Sequence, residues 1–317
     1  MGAIIRETDW QPQQGRGRRQ RRRGASLLGL LCGVLLSAAA YADETGYVQD
    51  LAIWRTDYAR RLQGEEGWLT VAGLYWLNDG ENHVGTDPTN DIVLRAGSAP
   101  PHVGVFAFRQ GTTTFHAAEG VEVRQQGRVV RSTTLMPGPG TSATPADALA
   151  VGTLTLWLHQ SGERFAVRIR DPQSPMRTEF TGCKWFPVNP TYRITGRFLP
   201  HDTPQNVSMP NIMGDLEHYT SPGVVQFEFQ GQELHLQPVS TGTDRLFFVF
   251  RDQTSDRETY GAARFLVTDG PRDGQVLLDF NKAVNPPCAY NPFTTCPLPP
   301  KENRLSVRIE AGELKYK

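Results

Sequence analysis

Residues 276–305 contain the segment that most restricts how this chain can fold. A short strand-like run is followed by repeated prolines, by Cys288 and Cys296 and by several asparagines, and the apolar pattern returns at Leu305. Each proline fixes its own φ, lacks an N–H donor and disfavours helix at the preceding residue. The segment is therefore predicted to form an extended proline loop, residues 281–303, that a β framework must hold in place.

The first 42 residues have the composition of an export signal. An arginine-rich run at 16–23 precedes an apolar stretch at 27–36, which is followed by the small residues Ala40 and Ala42. The apolar stretch is about ten residues long, which is too short to cross a bilayer. We therefore expect residues 1–42 to be a signal peptide, the mature chain to have no membrane span, and the protein to be periplasmic or secreted.

The charge of the remaining chain argues against polyanionic partners. The full sequence carries 33 basic and 33 acidic side chains, but residues 43–317 hold only 26 basic against 31 acidic ones, because seven arginines lie in the leader. A mildly acidic chain is a poor candidate for binding nucleic acid. We expect no nucleic-acid partner and no cofactor, and an unknown small molecule or protein as the partner.

Apolar periodicity predicts one helix followed by many strands. Side chains at spacings of three and four predict an amphipathic helix over 43–65, and they are Leu51, Trp54, Tyr58 and Leu62. From residue 66 the period changes to two, and short apolar runs alternate with Gly- and Pro-rich turns. Two of these runs, 191–199 and 223–229, are separated by loop-like sequence. Short strands at this spacing are typical of a β-sandwich or barrel.

A stretch rich in proline, glycine and serine, residues 136–148, is predicted to separate two halves. We expect a mainly β fold with two sandwich- or barrel-like halves, 66–145 and 150–317, after the N-terminal helix. Alternation is clearest in the run 163–171, which sets apolar side chains on one face and arginines on the other. The arginines are Arg164, Arg168 and Arg170.

Part of the first half resembles a forkhead-associated domain. The resemblance rests on GENHVG-x5-NDIVL at 80–94 and PPHVGVF at 100–106. Members of that family are β-sandwiches that bind phosphothreonine peptides, so the resemblance implies a sandwich. The arginine with which the family contacts phosphate is Thr86 here, and its Ser-Arg pair before the histidine is Pro100-Pro101. Without those donors the phosphate ligand is not expected.

A second resemblance covers most of the mature chain. DFNxAxNPPCA at 279–289 and TCPLPPxENRL at 295–305, with AGE at 311–313, are similar to the signature of a widespread bacterial family of uncharacterised proteins. DxTSxxETYxxxRFL at 252–266 fits the same signature. Because no activity is established for that family, the resemblance groups these residues without naming a reaction.

Polar side chains near the proline loop form the predicted site. Pairing between the strand that follows Arg264 and the strand that ends at Asp279 would bring carboxylate, guanidinium and phenol groups together, with Glu258 and Tyr260 nearby. A small hydrolase could use Glu258 or Asp279 as base, with Tyr260 and Arg264 as charge stabilisers. In the structural interpretation, the same groups satisfy the backbone of the loop.

A ligand- or partner-binding β module is the preferred hypothesis, and the hydrolase is the alternative. In the first hypothesis the site lies beside residues 279–303. Its predicted ligand-binding residues are Asn281, Asn285, Asn303 and Trp76.

The cysteines are expected to serve structure. In an oxidising compartment Cys288 and Cys296 are close enough in sequence to form a disulfide, which leaves Cys183 as an odd, buried thiol. A zinc pair would favour closer spacing and further ligands, and a catalytic thiol would need a nearby histidine. No metal site is expected, because the histidines are scattered without HExxH or His-x-His spacing.

Overall fold

A computed structural model describes residues 32–138, 140 and 144–316. Most of the predicted signal peptide, residues 1–42, lies outside the described residues. The described chain is mainly β, as predicted, and a long helix precedes the sheets. None of the described helices has the length and apolar character that crossing a membrane requires.

The first half consists of two sheets that pack face to face. Helix α1 (Cys32–Gln63) precedes the strands β1 (Val71–Trp76), β2 (Gly80–Gly85), β3 (Ile92–Val93), β4 (Gly104–Arg109), β5 (Thr112–Ala117), β6 (Arg124–Gln125), β7 (Arg128–Val129), β8 (Ser132–Leu135), β9 (Leu149–Val151), β10 (Leu154–Ser161) and β11 (Arg164–Arg170). One sheet has the order β3-β2-β4-β5-β8 and the other β1-β11-β10-β9-β6-β7. Alternate side chains of both sheets, including Phe106, Phe115, Leu156 and Val167, share one buried core.

The predicted boundary between the halves differs from the organisation of the sheets. Strands β9 to β11 follow the stretch 136–148, yet they pair with β1 and β6 of the first half. The first sandwich therefore extends to Arg170, and not only to residue 145. The sequence could not show this, because the strand that completes a sheet is chosen by pairing between distant residues.

The second half begins with the short helix α2 (Pro175–Thr178). It contains the strands β12 (Arg193–Pro210), β13 (Leu216–Phe229), β14 (Gln232–Leu236), β15 (Val239–Ser240), β16 (Arg245–Phe250), β17 (Arg264–Asp269) and β18 (Gln275–Asp279). They form a sheet of order β14-β13-β12-β18 and a sheet of order β15-β16-β17. Alternate side chains of β16, such as Phe248 and Phe247, enter two different apolar cores. The smaller sheet is thus buried on both faces.

Strands β12 and β13 are much longer than the predicted runs, 191–199 and 223–229. They continue as an antiparallel hairpin past a register shift between Pro200 and Gln205, and the far part of the hairpin pairs Gln205–Pro210 with Leu216–Ser221. The prolines and polar residues of this part indicated a loop. In the structure it is an arm that reaches the first half of the molecule.

Helix α1 lies against the second half through the predicted apolar face. Leu51 and Leu62 are buried. Trp54 stacks on Tyr58 at 5.7 Å between ring centroids, and both rings meet the edge of Trp185 at 5.9 Å. Such aromatic contacts add to the free energy gained by area burial. The helix therefore acts as a brace for the residues that follow the first sandwich.

Glu313 is a fully buried carboxyl group near the end of the described chain. It accepts a hydrogen bond from the backbone N–H of Asn285 at 2.8 Å and another from the hydroxyl of Tyr290. The side chains of Tyr58 and Cys183 complete its surroundings. Burial raises the pKa of Glu313 to about 7, because the anion loses the solvation that water gives it.

Glu313→Gln is expected to flatten the dependence of stability on pH. The folded protein keeps the carboxyl proton up to a pKa of about 7, whereas the unfolded chain releases it near pH 4.5. Since the folded state binds the proton more tightly, the free energy of unfolding falls as pH rises through this window, by about 3 kcal/mol in total. Urea denaturation between pH 4 and pH 8 measures the difference between wild type and variant.

The exposed neighbour Glu310 supplies the matched control for this measurement. Glu310→Gln should keep the wild-type slope of stability against pH, because its side chain is half exposed. Parallel profiles for wild type and Glu313→Gln would contradict the assignment.

Candidate functional site

The predicted pair between Arg264 and Asp279 does not form. Arg264 instead pairs with the buried carboxylate of Asp252 at 2.6 Å. It also donates to the carbonyl oxygens of Ile309 at 3.0 Å and of Ala311. A buried guanidinium with these acceptors ties the C-terminal segment to the second half through both of its terminal nitrogens.

The two predicted catalytic carboxylates also lie apart. Glu258 is on the surface, where it accepts a hydrogen bond from Arg308 at 2.8 Å. Asp279 accepts hydrogen bonds from the hydroxyl of Tyr47 at 2.7 Å and from the backbone N–H of Asn281 at 3.2 Å. The structure therefore does not assemble these carboxylates in one cleft.

The predicted ligand-binding asparagines hold the backbone. Asn281 exchanges hydrogen bonds with the backbone of Asn189 at 3.1 and 2.9 Å, and Asn303 does the same with Gln237 at 2.8 Å in both directions. Asn285 donates to a backbone carbonyl, while its own side-chain oxygen is buried without a hydrogen-bond partner among the described residues. These contacts correspond to the structural interpretation of the asparagines.

The face of Trp76 is covered by a neighbouring cation. The guanidinium of Arg164 lies over the indole ring, 3.7 Å from its centroid. Arg164 in turn donates to Asp215 at 2.7 and 2.8 Å. Trp76 is therefore a packing partner of a surface ion pair, and its ring face is not open for stacking on a ligand.

The predicted disulfide between Cys288 and Cys296 does not form, because both thiols are free in the structure. The two residues do lie side by side, and the backbone N–H of Cys288 donates to the sulfur of Cys296 at 3.3 Å. Cys183 is free as well and only half-buried. The sequence placed the two sulfurs together correctly, but here hydrogen bonds connect them and not an S–S bond.

Asp252→Ala should destabilise the fold far more than Glu258→Gln. Removing Asp252 leaves the guanidinium of Arg264 buried without its counter-ion, and such losses amount to about 3–5 kcal/mol. Glu258→Gln breaks only an exposed ion pair, so its unfolding midpoint should stay close to that of wild type. Urea denaturation at pH 7 compares the two. Equal destabilisation would show that the buried pair does not carry the stability assigned to it.

A different set of polar side chains meets where the two halves of the molecule contact each other. In β11, Val167 and Ile169 enter the core of the first sandwich. Because side chains alternate along a strand, Arg168 lies on the opposite face of the sheet, beside Trp157 of the neighbouring strand β10. This second face of the sheet is turned toward the second half.

The far part of the hairpin β12–β13 covers one side of this face. Asn211, just beyond β12, donates to Ser161 at 2.7 Å and to Glu217 at 2.8 Å. The other carboxylate oxygen of Glu217 accepts from the hydroxyl of Tyr219 at 2.8 Å. Both oxygens of this buried carboxylate are thus already engaged.

The proline loop covers the other side. Thr295 lies 3.2 Å from His159 Nε2, and Asn291 donates to the carbonyl of Trp68 at 2.8 Å. The loop is also joined to the hairpin, since the backbone N–H of Ile212 donates to the carbonyl of Cys296 at 2.9 Å. The loop therefore lies between the halves and contacts both.

The side chain of Arg168, at the centre of this contact, has no hydrogen-bond partner in the part of the chain that the structure describes. Its side chain is 0 % exposed, and none of its three guanidinium nitrogens meets an acceptor among the described residues. It lies over the ring of Trp68, 5.5 Å from the centroid. A guanidinium carries five N–H donors, and leaving a buried charge without acceptors costs several kcal/mol. The site around it is here called the interface site and comprises Arg168, His159, Glu217, Thr295 and Cys296.

The electrostatics of the interface site reflect the burial of the Arg168 guanidinium. Burial lowers the pKa of Arg168 to about 10, with partial compensation from Cys296 and Glu217. The pKa of His159 lies well below its usual value, first because of burial and then because of the nearby Arg168. The imidazole is therefore neutral, and its Nδ1 has no hydrogen-bond partner among the described residues. The interface site therefore has unused guanidinium donors, while the oxygens of its carboxylate, Glu217, bond to Asn211 and Tyr219.

Sequence reasoning missed this site although the signal was present. Three arginines on one face of a central strand were interpreted by their alternation alone, which sets them opposite the core but does not distinguish solvent from a second domain. Of the three, only Arg164 is largely exposed at the rim, whereas Arg168 and Arg170 are buried. Arg170 is buried against Thr70 and Thr144, and Arg168 lies over Trp68 and near Glu217 of the hairpin arm, whose length the sequence did not indicate.

Comparisons with known proteins name no activity. A family model described as "Protein of unknown function (DUF1684)" matches residues 178–314. Among solved structures, the solution NMR structure of an uncharacterized protein of Haloarcula marismortui is 31% identical in sequence and gives a TM-score of 0.38. The match covers 45% of this chain and 80% of the Haloarcula chain. No curated protein matches the chain. The match over residues 178–314 fits the predicted membership in an uncharacterised family.

Proposed function

We propose that this protein is a binding module that holds a small organic carboxylate between its two halves, at the interface site. The observation that carries the proposal is Arg168, which is fully buried and has no acceptor for any guanidinium nitrogen among the described residues. An anion in contact with Arg168 would supply the missing acceptors and a counter-charge in direct contact with the guanidinium.

A carboxylate matches the available groups better than other anions do. The planar fork of a guanidinium binds the two oxygens of a carboxylate in parallel, which adds geometric specificity to charge. The surroundings of Arg168 are largely aromatic, with Trp68 beneath the guanidinium and Trp157 on the adjacent strand. Such walls suit an apolar or aromatic body attached to the acid group.

The neighbouring carboxylate does not take this role. Glu217 contributes attraction to Arg168, but its two oxygens accept from Asn211 and Tyr219 and it forms no ion pair with the guanidinium. Asn211 and Tyr219 therefore hold the carboxylate of Glu217 in a position where it does not contact the guanidinium of Arg168. This arrangement leaves the donors of Arg168 for a ligand that enters from outside.

The hydrolase alternative has less support from the geometry. Its predicted base Glu258 pairs with Arg308 at the surface, and its predicted charge stabiliser Arg264 forms a buried ion pair with Asp252. The binding module, at a site that touches the predicted proline loop through Thr295, is therefore the better hypothesis. With the predicted leader at residues 1–42, we place this binding activity in the periplasm or outside the cell.

Arg168→Met is expected to make the ligand-free protein more stable and to abolish its response to carboxylates. Replacing an uncompensated buried charge by an apolar side chain of similar length typically gains about 1–4 kcal/mol. Thermal and urea denaturation with and without benzoate, at fixed ionic strength, measures both effects. The wild type should gain about 2.7 kcal/mol at a benzoate concentration of one hundred times Kd, whereas the variant should gain none.

Arg197→Gln serves as the control, because it also removes a strand arginine but from an exposed position. It should keep the wild-type response to benzoate. Acetate, phosphate and chloride, titrated in parallel, define the ligand class. Destabilisation of the ligand-free protein by Arg168→Met, or equal stabilisation of wild type by chloride and benzoate, would contradict the proposal.

A further inference from the structure

The two free thiols of the proline loop differ in their surroundings. Cys296 is buried, and its thiol donates to Thr294 at 3.6 Å. Cys288 is only half-buried, and its backbone N–H donates to the sulfur of Cys296 at 3.3 Å. Cys288 is therefore the more exposed of the two cysteines, and the sulfur of Cys296 lies directly beside it.

Tyr260 lies next to Cys288. Its hydroxyl donates to the carbonyl of Cys288 at 3.3 Å and also comes within hydrogen-bond reach of the Cys288 thiol. The position of the phenol is fixed by the turn that precedes β17. A phenol and a second thiol thus both face the sulfur of Cys288, and both are able to donate a hydrogen bond to it.

We propose that Cys288 and Cys296 form a redox-active dithiol that reduces a hydroperoxide, with Cys288 as the attacking thiol and Cys296 as the resolving thiol. This second activity does not rest on the proposed carboxylate binding, although Cys296 belongs both to the dithiol and to the interface site. It uses two neighbouring cysteines and the phenol of Tyr260, which contacts Cys288. These residues were predicted to form a structural disulfide and a hydrolase site.

The reaction balances with the hydroperoxide as the only oxidant. The sulfur of Cys288 attacks the terminal peroxide oxygen, so an S–O bond forms and the O–O bond breaks. The departing oxygen takes the thiol proton and leaves as an alcohol, or as water when the oxidant is hydrogen peroxide. Cys296 then attacks the sulfur of the resulting sulfenic acid, so that the S–S bond forms and the second oxygen leaves as water with the Cys296 proton.

The charge preferences of the two thiols agree with these roles. The neighbouring Cys296 thiol, together with Tyr260, lowers the pKa of Cys288, which favours the reactive thiolate. Burial raises the pKa of Cys296 well above its usual value, so that this thiol stays protonated until Cys288 has been oxidised. Tyr260 is a positioning residue in this scheme, because it acts through the sulfur of Cys288.

Cys183 offers a control within the same chain. It is also free and half-buried, but burial and the nearby Glu313 raise its pKa, and its thiol faces Tyr290 at 3.8 Å. Its thiolate is therefore disfavoured. Oxidation of Cys288 should be at least about tenfold faster than oxidation of Cys183, because the thiolate is the species that reacts.

The test treats the reduced full-length protein, freed of reductant, with one equivalent of hydrogen peroxide at pH 7. Peptide mass mapping should show a disulfide between Cys288 and Cys296, with one peroxide consumed per disulfide. In Cys296→Ser, dimedone should trap a sulfenic acid at Cys288. Cys288→Ser should consume peroxide at the background rate, and Cys183→Ser should behave like wild type.

Two further measurements keep the proposal open to refutation. Tyr260→Phe should form the same disulfide more slowly and with its rate–pH profile displaced to higher pH, an effect that a merely structural phenol would not produce. Circular dichroism checks that each variant is folded, and Cys288→Ala replaces Cys288→Ser if that variant is not. Trapping at Cys183 as fast as at Cys288, or a disulfide that excess dithiothreitol fails to reduce in the folded protein, would overturn the proposal.

Discussion

The structure depends on how the backbone of the proline loop, residues 281–303, is satisfied. A segment so rich in proline lacks the regular N–H donors of a strand, so it cannot be held by a ladder of hydrogen bonds. Asparagine side chains replace the ladder, as Asn281 does with the backbone of Asn189 and Asn303 with the backbone of Gln237. The amide group suits this role, because it donates and accepts at once.

The position of the loop determines what the two halves can do together. Held on one side by the hairpin and on the other by His159 and Trp68, the loop closes over the arginine face of the first sandwich. That closure removes Arg168 from water, and no acceptor among the described residues meets its guanidinium. It also places Cys288 and Cys296 at the same contact. The anion site and the dithiol are therefore consequences of one packing event.

Much of the fold follows from pattern, and much of the site does not. The mainly β architecture, the amphipathic helix and the proximity of the two loop cysteines are apparent from local periodicity and spacing. The predicted catalytic group does not assemble, because Arg264 pairs with Asp252, which lies in the connection before the strand of Arg264. The export signal and the likeness to a forkhead-associated domain stay predictions. Polar residues on a strand indicate a face but not what covers it, so the alternation placed Arg168 opposite the core without indicating its burial.

The sequence by itself determined the local preferences of this protein. Period-two alternation requires sheets, the prolines require an irregular loop, and the asparagines within it supply the groups that such a loop needs. Only the tertiary structure decided which face of the six-stranded sheet is covered and by what. The physical reason is that burial of Arg168 depends on the hairpin and the proline loop, which lie far from it in sequence and meet it only when the two halves pack together.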